Sequence, residues 1–233
     1  TVSRHAQTAT WHYASISKDY VGAHVAIRGS GGILIEGKVH LHGGYNFDNL
    51  LMAVAIATES GIDPIDIAAI LPQLTGAVGR LDAVRLGQNF TALVDYAHSP
   101  DAVTRVLETA REISDGRVIA VLGCGGDRDS SKRALMGKAL HDGADVAIFT
   151  SDNPRSEKAD AILVQMTLGL EVNEPSAVIE DRADAIRAAV NEAQEGDLVL
   201  VLGKGHEKGQ EINGTVHPFD DRVELARAIE DKK

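Results

Sequence analysis

The spacing of apolar residues changes along the chain, and each change marks a new kind of element. Over residues 10–42, apolar and polar side chains alternate in three runs separated by glycines, at 11–16, 23–28 and 32–41. An alternation with a period of two residues is typical of half-buried strands. The first part of the chain is therefore predicted to contain an antiparallel β segment.

Two helices are predicted next. From Asp48 the apolar positions fall on one helical face, and Gly61 is the expected stop. A second, shorter helix is expected over residues 64–71, because Pro72 does not continue it. The residues that follow, 74–81, are poor in helix and strand formers, so we expect a domain boundary there.

This boundary separates a first domain, residues 1–78, from a second domain, residues 79–233, with a different pattern. In the second domain, strand-like apolar runs alternate with helical patterns. The expected strands cover residues 90–94, 117–122, 145–149, 177–179 and 197–202. The expected helices cover residues 100–113, 132–141, 159–170, 182–193 and 221–230. Repeated βα units with strands apolar on both faces predict a doubly wound α/β domain with right-handed crossovers.

Composition narrows the classes of partner. The 233 residues carry 34 Asp plus Glu against 23 Lys plus Arg, and a net charge of −11 argues against nucleic-acid binding. The single cysteine, Cys124, excludes an internal disulfide and fits a reducing compartment. No apolar run approaches the roughly 20 residues of a membrane span, and no signal-peptide pattern is present. We therefore expect a cytoplasmic location without membrane insertion.

Four of the predicted parallel strands are followed by polar loops that contain glycine or proline. These loops are residues 95–101, 123–133, 150–157 and 203–207. The carboxyl ends of parallel strands meet at one edge of a sheet, where open α/β folds bind their ligands. The sequence therefore predicts one binding site built from all four loops.

The third of these loops contains Asp152, Asn153, Pro154 and Arg155. An acceptor, an amide and a planar cation could together hold a molecule with both an ammonium and a carboxylate. The alternative is a strand-to-helix turn, with Asp152 or Asn153 as the helix cap and Pro154 in the first helical turn. The companion loops favour the binding site, although one side chain could serve both roles.

The glycine-rich loop 123–133 suits an anion, because its backbone N–H groups can approach a ligand closely. Arg128, Lys132 and Arg133 are expected to add positive charge. The pattern Gly-x-x-x-x-Gly-Lys-Ser/Thr is absent from the chain, so this loop is not a Walker A loop. Cys124, within the same loop, is interpreted as a packing residue.

Other polar residues allow more than one interpretation. Lys204 could pair with a phosphate or with water, and His206 fits a hydrogen-bonded loop residue. Asn46 and Asn49 are three residues apart at a predicted helix start and could face one ligand, but Asn46 or Asp48 could instead cap the helix. The histidines show no zinc-binding spacing.

Taken together and in this order, the motifs resemble those of the Mur ligases, over almost the whole chain. The matching motifs are Gly43-x-Tyr-Asn46-x-x-Asn49, Gly79-Arg80-Leu-Asp82, Asp95-Tyr-Ala-His-Ser-Pro-Asp101, Gly123-Cys-Gly-Gly-Asp-Arg-Asp129 with Lys132-Arg133, Asp152-Asn-Pro-Arg155 and Gly203-Lys-Gly-His-Glu207. Two departures are Ser131, where family members often have Gly, and Asp82, where they often have Glu.

The resemblance implies that residues 1–78 are the strand-and-helix end of a central ATPase domain. Residues 79–233 would be the Rossmann-like C-terminal domain that binds the amino acid. The family's P-loop, carbamylated lysine and magnesium ligands have no counterpart in this sequence. The resemblance therefore implies a fragment that contains no metal ligands and is inactive alone. We also expect the chain to be a monomer.

The implied reaction is the ATP- and Mg²⁺-dependent addition of meso-diaminopimelate to UDP-MurNAc-L-Ala-D-Glu in peptidoglycan synthesis. It would proceed through an acyl phosphate on the D-glutamate. Two alternatives are a relative that adds L-lysine or extends folates, and a module that binds nucleotide or amino acid without catalysis.

The resemblance also implies roles for individual residues. Those expected to bind ATP are Asn46, Asn49, Arg80, Asp95, Tyr96 and His98. Arg80 and Lys132 would also act in catalysis by contacting phosphate. The residues expected to bind the amino acid are Arg128, Asp152, Asn153, Pro154, Arg155, Gly203 and Glu207. Arg155 would select the second carboxylate, which lysine lacks.

Overall fold

A computed structural model describes residues 1–19, 22–74 and 76–232. The chain divides into two units, Thr1–Gly76 and Ala77–Lys233, close to the predicted boundary. In the described part of the chain, no helix combines the length and the apolar character that crossing a membrane requires.

The first unit contains the predicted antiparallel sheet and two helices. Its strands are β1 (His12–Asp19), β2 (Gly22–Arg28) and β3 (Leu34–Val39), which pair in chain order. Helices α1 (Gly44–Glu59) and α2 (Pro64–Ile70) follow. Pro72 lies in a short 3₁₀ turn after α2. The core of this unit includes Trp11, Tyr13, Ile27, Phe47 and Leu71.

The start of α1 differs from the prediction. The N-cap is Gly43, and no side chain caps the helix. Asn46 lies inside the first turn, where its buried amide donates to the carbonyl of His42 at 2.8 Å. Asp48 accepts from Arg4 at 3.0 Å. The interpretation of Asn46 or Asp48 as a cap is therefore wrong.

The second unit is built on a six-stranded sheet in the order β4-β5-β9-β6-β7-β8. Its strands are β4 (Asp82–Ala83), β5 (Thr91–Asp95), β6 (Val118–Cys124), β7 (Val146–Ser151), β8 (Ala177–Val178) and β9 (Leu198–Leu202). The short β4 is antiparallel to β5, and the other pairs are parallel. The predicted parallel sheet is therefore confirmed.

Five helices accompany this sheet: α3 (Pro100–Ile113), α4 (Ser131–Gly143), α5 (Ala159–Met166), α6 (Arg182–Glu192) and α7 (Asp221–Lys232). Ala120 and Leu122 of β6 pack in the core shared with α3, α4 and α5. Ile119 and Val121 pack in the core shared with α6 and α7. Because neighbouring strand residues point to opposite faces, the sheet is covered on both sides, and the doubly wound architecture is confirmed.

A β-hairpin that the sequence analysis missed follows β9. Its strands are β10 (Gly209–Ile212) and β11 (Thr215–Pro218), paired antiparallel. Asn213 and Gly214 form the turn with φ of 49° and 74°. An Asn-Gly pair with positive φ is a strong hairpin signal, because it matches the twist of the flanking strands.

Candidate functional site

The four predicted loops enclose a single cleft of about 410 Å³ at the carboxyl ends of β5, β9, β6 and β7. Its polar wall contains many of the predicted residues: Tyr96, His98, Arg128, Lys132, Asp152, Asn153, Arg155, Gly203 and Glu207. The fold therefore brings together side chains from positions more than 100 residues apart in sequence. The other predicted residues of this unit, Arg80, Asp95 and Pro154, do not line the cleft.

The segment after β7 is held by backbone hydrogen bonds to neighbouring loops. The N–H of Arg155 donates to the carbonyl of Glu211 at 2.9 Å, and Asn213 N–H donates to the Arg155 carbonyl at 2.7 Å. From the other side, Gly126 N–H donates to the carbonyl of Asn153 at 2.8 Å. The unpredicted hairpin and the glycine loop thus hold this segment between them.

The position of α5 excludes the interpretation of Asp152 or Asn153 as a helix cap. Helix α5 begins at Ala159, with Lys158 at the N-cap and no side-chain cap. Pro154 is buried ahead of the helix and is not part of its first turn. Asp152 and Asn153 therefore do not cap α5, and their side chains line the cleft instead.

Arg155 has an unusual backbone conformation, with φ of 54°. Residues other than glycine rarely adopt this left-handed backbone conformation, so the surrounding hydrogen bonds have to hold Arg155 in it. Its Nη1 donates to the carbonyl of Gly126 at 2.7 Å, and its Nε lies 3.3 Å from Oε2 of Glu211. The side chain is 22% exposed, and Arg155 lines the cleft.

Asn153, Lys204 and Glu207 form a closed set of hydrogen bonds. Asn153 Nδ2 donates to Glu207 Oε2 at 2.9 Å, and Lys204 Nζ donates to Asn153 Oδ1 at 3.0 Å. Lys204 also donates to Glu207 Oε2 at 3.3 Å and is completely buried. The expectation that Lys204 pairs with phosphate or water is therefore wrong, because its partners are protein side chains.

The pKa values of Asp152 and Glu207, two of the carboxylates that line the cleft, shift in opposite directions. Burial raises the pKa of Asp152, although the positive charges of Arg182 and Lys204 oppose the rise. Burial also acts to raise the pKa of Glu207, but hydrogen bonds from Asn153 and Lys204 outweigh it and leave this pKa lowered. Glu207 is thus the carboxylate that retains its charge more easily as the pH falls.

A buried ion pair that the sequence analysis missed lies behind the site. Arg182 and Asp221, at the starts of α6 and α7, are both fully buried, with Nε and Oδ1 2.7 Å apart. Arg182 also donates to the carbonyl of Leu202 at 2.8 Å and to that of Ser151 at 3.3 Å. These bonds fix the ends of β9 and β7, from which two of the cleft loops leave.

The glycine loop contacts the Asp152–Arg155 segment backbone to backbone. A Cβ atom on Gly126 would lie 1.8 Å from the carbonyl oxygen of Pro154. This distance is too short for any residue that has a side chain, so the position requires glycine. Gly126 therefore serves close packing of two loops. Arg128 in the same loop and Lys132 at the start of α4 are exposed and line the cleft.

Arg133 does not add free positive charge to this loop, so that prediction is wrong. Its guanidinium is buried and donates to Glu157 at 2.7 and 2.8 Å, to Gln165 at 2.9 Å and to the carbonyl of Gly125 at 3.1 Å. The Arg133 hydrogen bonds, together with one from the N–H of Asp127, lower the pKa of Glu157 to about 2. Arg133 thus anchors the loop.

Cys124 has the surroundings of a packing residue, as predicted. It is buried, its sulfur lies 3.7 Å from that of Met136, and burial raises the pKa of its thiol to about 12. A thiol protonated over the whole neutral range is not a nucleophile.

Aromatic side chains gather at one end of the cleft. The ring of Tyr96 lies 4.6 Å from that of His98 and 5.3 Å from that of His206, between centroids. The Arg80 guanidinium lies over Tyr96, 5.4 Å from the ring centroid. Flat aromatic faces beside a cation suit a heterocycle linked to phosphate.

Asp95, the residue before Tyr96, is buried. Its carboxylate accepts from the N–H of Leu81 at 2.9 Å and of Ala97 at 2.8 Å. Burial raises its pKa. Asp95 therefore stabilises the turn at Leu81, where φ is 44°, and its contact with ribose stays a prediction.

The two asparagines predicted to contact nucleotide belong to the first unit. Asn46 is buried, Asn49 is exposed, and a role for either in nucleotide binding stays a prediction. Within residues 1–19, 22–74 and 76–232, no group of three or more His, Cys, Asp or Glu side chains is arranged to hold a metal ion.

The doubly wound sheet and its mixed-charge cleft define an α/β domain with a candidate ligand-binding site. The model of the Mur ligase glutamate ligase domain matches residues 79–205, which is more than half of the chain. The chain therefore belongs to the Mur ligase family.

Two relatives share one name. The chain is 46% identical over 226 residues to the UDP-N-acetylmuramoyl-L-alanyl-D-glutamate–2,6-diaminopimelate ligase of Streptomyces coelicolor, covering 95% of this chain and 45% of that protein. Identity to the ligase of the same name from Geobacillus thermodenitrificans is 47%, covering 87% and 41%. The chain thus spans less than half the length of these relatives.

Two solved structures are similar to this chain in fold. A structure of a ligase with this name superposes with a TM-score of 0.78 at 39% identity, covering 97% of this chain and 46% of that one. A folylpolyglutamate synthase from Mycobacterium tuberculosis reaches a TM-score of 0.61 at 20% identity, covering 84% of this chain and 46% of that one. The second likeness concerns the fold alone.

Proposed function

We propose that this chain is the amino-acid-binding part of a ligase that joins meso-diaminopimelate to the D-glutamate of UDP-MurNAc-L-Ala-D-Glu. One observation carries the proposal: Asp152, Arg155 and Glu207 line one cleft, although they come from two separate loops. The names of relatives at 46% and 47% identity support the same substrate.

The charges of the cleft suit diaminopimelate better than lysine. Diaminopimelate has two amino groups and two carboxylates, so the end that does not react is a zwitterion. The guanidinium of Arg155 can pair with its carboxylate, and Asp152 with Glu207 can receive its ammonium. Lysine has an ammonium but no carboxylate at that end, so it would leave Arg155 without a ligand partner.

The reaction needs activation because a carboxylate is a poor electrophile. ATP, with Mg²⁺, would supply the phosphoryl group that turns the glutamate γ-carboxyl into an acyl phosphate. The cleft would hold the amino acid with its free amine directed at that carbonyl, and phosphate would leave. Arg80 and Lys132 would stabilise the phosphate charge, while Tyr96 and His98 would contact the adenine.

Calorimetry on the chain tests the selectivity. We expect wild type to bind meso-diaminopimelate at least tenfold more tightly than L-lysine. Arg155→Ala should remove most of this preference, and Arg155→Lys should restore only part, since an ammonium cannot pair in the bidentate manner. Arg105→Ala, an exposed change on α3, is the matched control. Equal affinity of wild type for both amino acids would refute the proposal and favour the lysine-adding alternative.

We propose further that the chain by itself binds without turning over, in the cytoplasm and as a monomer. The sequence contains no Gly-x-x-x-x-Gly-Lys-Ser/Thr loop to hold ATP phosphates during transfer. With ATP, Mg²⁺, UDP-MurNAc-L-Ala-D-Glu and diaminopimelate, we expect no phosphate release above a blank. Steady release would contradict this proposal while leaving the amino-acid selectivity to its own test.

A further inference from the structure

Lys204 is a charged side chain with no access to solvent. It lies in the loop after β9, between Gly203 and Gly205, and its exposed fraction is 0%. Its ammonium lies 3.0 Å from Asn153 Oδ1, 3.3 Å from Glu207 Oε2 and 3.8 Å from Asp152 Oδ1. A buried ammonium is costly unless it is paired, so these partners explain why it is tolerated.

The hydrogen bonds around Lys204 determine which way its neighbours face. Asn153 Oδ1 accepts from Lys204 and from the N–H of Glu211 at 3.0 Å, so its Nδ2 is left to donate to Glu207. Glu207 Oε2 accepts from both Asn153 and Lys204. The second oxygen of Glu207 has none of these donors, and the residue lines the cleft.

We propose that Lys204 is a positioning residue, which fixes Asn153 and the Glu207 carboxylate in the orientation that receives the ammonium of the bound amino acid. Lys204 itself does not touch the ligand, because it is completely buried and does not line the cleft. The inference rests on the proposed function for the identity of the ligand. The hydrogen-bonded set exists without the ligand and can be tested separately.

Lys204 affects the charge of the neighbouring carboxylates as well as the orientation of its hydrogen-bond partners. Glu207 faces Lys204 from its own loop and Arg155 from the loop after β7. Asp152 faces Lys204 and the buried pair of Arg182 and Asp221. Removing the Lys204 charge takes a cation from both carboxylates, so each would be protonated at a higher pH. Binding of an ammonium ligand, which needs the carboxylates ionised, would then fail at a higher pH than in wild type.

The first test needs no ligand. NMR titration of the Glu207 side-chain carbon in ¹³C-labelled chain should give a lowered pKa for wild type. The pKa should rise by at least one unit in Lys204→Met, and less in Lys204→Gln, which keeps a donor without the charge. Lys208→Met, which removes an exposed lysine four residues along the chain, is the matched control and should leave the pKa unchanged.

The second test uses calorimetry with meso-diaminopimelate between pH 5 and 9. We expect Lys204→Met to weaken binding at least tenfold at neutral pH and to move the acidic limit of binding upward. In a Glu207→Gln background, the further loss should fall below threefold, because the carboxylate that Lys204 bonds directly is already neutral and only its smaller effects on Asn153 and Asp152 remain. The double variant also leaves no unpaired charge at Glu207, so it can be measured if Lys204→Met alone does not fold.

The outcomes separate the two proposals. Failure of wild type to bind diaminopimelate would contradict the proposed function, and the Glu207 titration would still decide the role of Lys204. An unchanged Glu207 pKa in folded Lys204 variants would overturn the inference. An equal loss of affinity with and without Glu207 would overturn it as well, since Lys204 would then act independently of that carboxylate.

Discussion

Arg155 and Glu211 are joined through both backbone and side chain. The Arg155 N–H donates to the Glu211 carbonyl at 2.9 Å, and Arg155 Nε lies 3.3 Å from Glu211 Oε2. The hairpin formed by β10 and β11 thus holds Arg155, the residue proposed to select the ligand. The Glu211 carboxylate also partly neutralises the positive charge of this arginine. A ligand carboxylate has to share this guanidinium with Glu211.

Glu211→Gln should therefore strengthen the binding of meso-diaminopimelate. The backbone bond remains in this variant, while the competing negative charge is lost. A half-exposed ion pair is worth about 0.5–1 kcal/mol, so we expect an affinity gain of roughly two- to fivefold. Calorimetry should show no gain for L-lysine, which has no carboxylate to place there. Glu108→Gln on the exposed face of α3 is the control, and weaker diaminopimelate binding in Glu211→Gln would contradict the account.

Gly126→Ala should disrupt the cleft by forcing two loops apart. Its Cβ would meet the Pro154 carbonyl oxygen at 1.8 Å, and backbone cannot rotate away as a side chain can. We expect at least tenfold weaker binding of diaminopimelate and a loss of more than about 2 kcal/mol in unfolding free energy by urea denaturation. Gly87→Ala is the matched control. Its φ of 84° also disfavours alanine, but no atom lies within 4 Å, so about 1 kcal/mol is expected. Equal losses would show that the contact is unimportant.

The ion pair of Arg133 with Glu157 predicts how stability depends on pH. The pKa of Glu157 is lowered from 4.5 to about 2, so its ionised form is favoured in the folded state. Its contribution is complete above the unfolded pKa and is lost as the pH falls from about 4.5 towards 2. Urea denaturation should show wild type more stable than Glu157→Gln at pH 7, with the difference shrinking across this window. A difference that is constant from pH 7 to pH 2.5 would exclude the ion pair as its cause, and Glu108→Gln should show little difference at any pH.

Sequence patterns predicted the helices and strands closely where the signal is local. The predicted bounds of α3 match the structure, because Pro100 and the apolar period together define the helix. The end of α5 was placed too late, at residue 170, since the structure ends this helix at Met166 although apolar residues continue beyond it. The hairpin was missed although its signal, Asn213 before Gly214, is present in the sequence.

The cleft was predicted in outline because strand order and parallel direction bring the four loops to one edge. The partners of individual charges were not predictable in the same way. Lys204 and Arg133 look like solvent-exposed cations in the sequence, and only tertiary packing buries them against Asn153 and Glu157. Burial is decided by segments distant in the chain, so a local pattern cannot report it.

A crystal structure of the chain with meso-diaminopimelate tests the central claim most directly. We predict that one carboxylate of the ligand pairs with the guanidinium of Arg155 and that the ammonium at the same end lies between Asp152 and Glu207. The other amine should point out of the cleft, free to react. Density for the ligand elsewhere, or a carboxylate bound by Arg128 and Lys132 with Arg155 still paired to Glu211, would contradict the account.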